Sequence, residues 1–118
     1  VTELNADLIN TQLIVEGANG PVTPEAEVEM TEKGIAIVPD ILANMGGVIV
    51  SYFEWVQNRN SEYWNGETVD GKLREKIISA YHEVEAIAAD QAVSMRQAAY
   101  IEALQHLEEV YKKRGVWP

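Results

Sequence analysis

The 118-residue chain carries 19 acidic against 9 basic residues, a formal charge of −10, and that balance excludes a nucleic-acid surface, which needs clustered Lys and Arg. A hydrophobic fraction of 47% is ordinary for one globular domain, and the length suffices to bury a real core. The absence of cysteine rules out a disulfide framework and a thiolate metal site.

The first predicted element is QLIVE, 12–16, a short β-branched run stopping at Gly17 that reads as a buried strand. The loop GANGPVTP follows, dense in turn residues. Thr23 is placed as a helix N-cap, with Pro24 at the first helical position and acids in the first turn, where they suit the helix dipole. That helix is expected to run to Lys33 and stop at Gly34. IAIVP, 35–39, is a second strand, and strand–helix–strand at this spacing is the βαβ pattern of a parallel sheet.

From Asp40 the pattern turns helical. Asp40 is expected to cap a short turn through Ala43, and Val48, Tyr52, Trp55 and Val56 then recur at helical spacing. Residues 57–67 read as a polar connection. Two long helices close the chain. Leu73, Ile77, Ala80, Val84, Ile87 and Ala88 form one apolar stripe over 68–92. Ser94 with Gln97 is a capping box opening a helix to Arg114, with Tyr100, Leu104, Leu107 and Tyr111 on one face and Gly115 as its stop. The scattered acids, Glu25, Glu27, Glu29 and Glu32 in one segment and Glu102, Glu108 and Glu109 in another, read as solvated helix faces. No run approaches the ~20 apolar residues that span a bilayer and the start has no basic leader, so a cytoplasmic location without membrane contact is expected. Two strands are too few for a free-standing α/β sheet, and the chain reads as the second half of a larger unit.

Candidate binding residues cluster where strands run into loops, because open parallel sheets bind ligands beyond the carboxyl ends of their strands. Asn19 could offer its amide to a sugar hydroxyl while Gly17 and Gly20 admit a ligand to the backbone; equally, Asn19-Gly20 makes a plain turn. Asn44 repeats the logic one strand later, with Gly46-Gly47 beside it, though the glycines could serve helix packing and Asn44 a helix cap. Ser51 lies one helical turn after Gly47 and Val48 and so shares their face, free to bond a ligand carboxylate or its own helix. No lysine or paired acid accompanies these groups, and His82 and His106 lack metal spacing, so no catalytic residue and no metal site is assigned. The GxxG of 17–20 is not a dinucleotide fingerprint.

Read together and in order, VEGANGPVTPEA, PDILANMGGVIVSYFEWVQN and SMRQAAYIEALQHLEEVYKKRG resemble the C-terminal part of a glutamate dehydrogenase, within the Glu/Leu/Phe/Val dehydrogenases. The resemblance implies an α/β fold, the second half of a Rossmann-type parallel sheet domain followed by long C-terminal helices. Residues 1–60 are then the half-domain for NAD or NADP, and 61–118 the helical segment packing on it. It implies oxidative deamination of L-glutamate to 2-oxoglutarate and ammonia, in a homo-oligomer. Asn19, Asn44 and Gly17 are assigned to the cofactor, and Gly47, Val48 and Ser51 to the substrate, the serine on its side-chain carboxylate. The family's catalytic lysine and aspartate, and the acid that selects NAD or NADP, belong to a missing N-terminal domain; this piece alone is expected to be inactive. Met45 departs from the small residue expected there. Two rivals share the fold: a leucine, phenylalanine or valine dehydrogenase, which calls for an apolar residue at Ser51, and a non-catalytic binding module.

Overall fold

The computed structural model describes residues 1–115. A 3-10 turn, Ala6–Leu8, precedes β1, Leu13–Val15; α1, Pro24–Glu32; β2, Ala36–Val38; and α2, Asp40–Ala43. Three longer helices follow: α3, Gly46–Asn60; α4, Gly66–Gln91; and α5, Met95–Arg114. The two strands pair in parallel with Leu13 opposite Ala36 and Val15 opposite Val38, so both carboxyl ends lie at the same edge.

Local chemistry accounts for most boundaries. The Thr23 hydroxyl accepts from the Ala26 amide and Pro24 opens α1, while Gly34, at φ +78°, takes the left-handed conformation after Lys33 that lets the chain leave the helix. Ser94 and Gln97 cap each other at the start of α5.

The core divides in two. Ala26 and Met30 of α1 pack with Ala6, Val22, Ile35 and Ile37 on one side of the sheet. Leu42, Val84, Ala98 and Ala99 join α2, α4 and α5 on the other, with Val38 and Met45 against them. Met45 packs beside the helical core.

Three expectations need correction. β1 is not a buried strand: Leu13 and Val15 are exposed and only Ile14 is turned inward, because a two-stranded sheet has no further strand or helix to cover that face. Val48, Tyr52 and Trp55 do not form the inner stripe of α3. All three are exposed, and the helix buries Phe53 with Ile49 and Val56 half-buried beside it. The connection after α3 is shorter than 57–67, since the helix persists to Asn60 and α4 begins at Gly66. Gln57 stays helical and accepts from the Trp64 amide, while the Trp64 ring sits 5.6 Å from Phe53 with the Lys72 ammonium 4.8 Å above it. No helix among the described residues is long and apolar enough to cross a membrane.

Candidate functional site

β1 and β2 end at the same edge, and the chain leaves each into a polar loop. After β1 it runs through Gly17 to Gly20, where φ is +56°, a left-handed turn that glycine takes without a Cβ clash. After β2 it enters α2, which Asn44 follows as the C-terminal cap residue. The two loops meet: the Asn44 side-chain nitrogen donates to the Asn19 side-chain oxygen at 2.7 Å. Neither asparagine caps a helix with its side chain. The contact leaves the Asn19 amide nitrogen and the Asn44 amide oxygen without a partner among the described residues, a donor and an acceptor side by side at the sheet edge.

The glycines around the pair are not explained by packing within this chain. A Cβ placed on Gly17 or Gly47 meets no protein atom within 4 Å. On Gly46 it lies 3.7 Å from Ile77 Cδ1, an ordinary contact. Gly47, Val48 and Ser51 share the exposed face of α3, with Val48 75% exposed. The Ser51 hydroxyl does not bond back to the Gly47 carbonyl, and among the described residues it has no hydrogen-bond partner.

One buried ion cluster escaped the sequence reading. Glu16 directly follows β1 and is the one charged residue buried among the described residues, at 2% exposure. Arg96, at the start of α5, meets it with Nη2 at 2.7 and 2.6 Å from the two carboxylate oxygens. The same guanidinium sends Nε to Glu27 of α1 at 2.6 Å and Nη1 to Asp40 of α2 at 2.8 Å. Glu27 is therefore not part of a solvated helix face.

Asp40 is also not the cap expected of it. It is the first helical residue, with Pro39 in the cap position, and its carboxylate is drawn elsewhere. Oδ2 accepts from the Gly20 amide at 2.7 Å, and Oδ1 accepts from the Ile41 amide and from Arg96. The Asp40 amide in turn donates to Glu16 at 2.8 Å. The Gly20 amide bond is the largest cause holding the Asp40 pKa below its ordinary value; burial works against it, and Ile41 and Arg96 add to it. For Arg96, burial opposes the charged form, but hydrogen bonds to Glu16, Glu27 and Asp40 outweigh it and raise the pKa above the usual guanidinium value. The signal for this cluster was an acid closing an apolar strand run: a carboxylate there needs a cation, and Arg96 is the one cation in the turn where α5 begins.

A parallel α/β edge with two polar loops and a helix opening beside them is the kind of edge at which open parallel sheets bind ligands. Residues 1–115 match the model of the Glutamate/Leucine/Phenylalanine/Valine dehydrogenases, and the chain belongs to that family. It is 48% identical over 115 residues to the NAD-specific glutamate dehydrogenase of Staphylococcus aureus (strain COL), covering 98% of this chain and 28% of that protein. It superposes on the crystal structure of glutamate dehydrogenase from Peptoniphilus asaccharolyticus with a TM-score of 0.93 at 42% identity, covering 98% of this chain and 29% of that one. For the hetero-hexameric glutamate dehydrogenase from Thermus thermophilus (Leu bound form) the TM-score is 0.89 at 35% identity, covering 96% and 27%. The chain thus spans under a third of the length of the relatives it matches.

Proposed function

We propose that this chain is the C-terminal part of an NAD- or NADP-dependent glutamate dehydrogenase, which interconverts L-glutamate with 2-oxoglutarate and ammonia. Residues 1–60 act as the second half of a Rossmann-type cofactor domain, and 61–118 as the helical segment packed on it; the last three positions lie outside the described residues. The reacting lysine and aspartate come from the rest of the enzyme, which assembles as a homo-oligomer in the cytoplasm.

The observation that carries this reading is the Asn19–Asn44 hydrogen bond. It joins the two loops at the carboxyl edge and leaves one amide donor and one amide acceptor facing outward, a set that fits a ribose hydroxyl or a carboxamide. The open space over Gly17 fits close approach of a flat or phosphorylated group to the backbone. Asn19, Asn44 and Gly17 hold the cofactor, which supplies the hydride acceptor of the reaction. Gly47 and Val48 line the substrate's path along α3. Ser51, whose hydroxyl has no partner among the described residues, donates to the substrate's distal carboxylate.

Asn44→Ala in the full-length enzyme tests the assignment. Removing one amide strands its ligand partner at a cost of roughly 1–3 kcal/mol, so the cofactor dissociation constant should rise about 5- to 150-fold while the melting temperature holds. A collapsed melting temperature with unchanged affinity would make Asn44 a structural residue.

A further inference from the structure

We infer that Arg96 is a positioning residue for the cofactor loops, acting through Glu16 and Asp40 to hold Asn19 beside Asn44. The inference rests on the cofactor reading of that asparagine pair and names a residue from a distant part of the chain as its support.

The loop from Gly17 to Gly20 is exposed, and a Cβ at Gly17 or Gly20 meets no protein atom within 4 Å. Packing within this chain therefore does little to fix its conformation. What ties it to α2 is the Gly20 amide on Asp40 Oδ2 and the Asn19–Asn44 bond. Asp40 has a rotatable side chain at a helix start, and one conformer serves Gly20. Arg96 reinforces that conformer by holding the other oxygen, Oδ1, at 2.8 Å, beside the Ile41 amide at 2.8 Å. Glu16 locks the arrangement from the strand side: it accepts from the Asp40 amide and takes both oxygens to one Arg96 nitrogen. The planar guanidinium serves three carboxylates in three directions at once, which a lysine ammonium on a flexible stem cannot reproduce. Two of the three carboxylates that Arg96 holds, Glu16 and Asp40, adjoin the ligand-facing loops, and the contact with Glu16 spans 80 residues of sequence.

The test compares Arg96→Lys, Glu16→Gln and Asn44→Ala in the full-length enzyme. Titration with reduced nicotinamide cofactor gives dissociation constant and site number, and hydrogen exchange of the 16–24 peptide is read without cofactor. Arg96→Lys should raise the dissociation constant about tenfold at full site number, with the peptide exchanging about tenfold faster. Glu16→Gln keeps the acceptor for the Asp40 amide but loosens Arg96, and should give a smaller rise of about threefold. A merely structural role would lower the number of sites and leave affinity and exchange in the folded fraction unchanged; that result overturns the inference, as would loss of folded protein in both clamp variants. If Asn44→Ala weakens cofactor binding while both clamp variants bind normally, the positioning role fails and the cofactor reading stands. If Asn44→Ala itself binds normally, the cofactor reading fails and takes the inference with it.

Discussion

Asp40 links the loop after β1, its own helix and the start of α5. Its carboxylate accepts from the Gly20 and Ile41 amides and from Arg96, with Glu16 and Glu27 held by the same guanidinium. Each of those bonds favours the ionised form, so the folded pKa lies below the unfolded one. The sign of the pH effect follows: the stabilisation is fully present above the unfolded carboxylate value near 3.8 and is lost as pH falls through the lower folded value. Thermal melts from pH 7 down to the acid limit should show a steeper loss in the native protein than in Asp40→Asn, which has no such carboxylate to protonate. Parallel curves would mean that Asp40 carries no net linkage. The residue's neighbours also mark the limit of sequence reading. The capping residues Thr23 and Ser94 were legible because a cap is decided within four residues. The partners of Glu16 and Asp40 lie 80 and 56 positions away, and no local pattern records them.

Among the elements, the helical pair α4 and α5 shows how local rules set geometry. They join through three residues, with Ala92 at φ +52° closing α4. An L-residue pays for the left-handed conformation in Cβ–carbonyl contact, by roughly 1–2 kcal/mol, partly offset in glycine by its greater unfolded freedom. Ala92→Gly should therefore stabilise the protein by about 0.5–1 kcal/mol, read as a higher denaturant midpoint at unchanged slope. A lower midpoint would show that the Ala92 methyl packs usefully. The stripe of α4 and the cap of α5 were legible from periodicity, as was the parallel βαβ unit from strand length and the glycine after α1. The burial of α3 was not. Its apolar residues lie on both faces, and sequence alone cannot tell Phe53, which is buried against Trp64, from Val48 and Trp55, which are exposed. Of the four aromatic or apolar residues left exposed, Val48, Tyr52 and Trp55 share the side that carries Gly47 and Ser51, and Val50 lies apart from them.

The whole molecule makes sense as part of a larger one. Leu13 and Val15 of the sheet, the Val48 face of α3 and the Tyr100–Tyr111 stripe of α5 are all exposed apolar surface on a chain spanning under a third of its relatives' length. In the function proposed above, the outward face of α3 is where the chain would meet its substrate and where the choice among amino acids would be made. Ser51 offers a hydroxyl that nothing else among the described residues engages. In the full-length enzyme, Ser51→Val removes a charge-assisted donor worth about 1.5–3 kcal/mol and lines the position with methyl groups. The decisive measurement is the ratio of kcat/KM for glutamate to that for leucine, before and after the substitution. The glutamate value should fall on the order of 10- to 100-fold while the leucine value holds or rises, so the ratio drops at least tenfold. An unchanged ratio, with both substrates slowed by the same small factor, would contradict the placement of glutamate's distal carboxylate at Ser51.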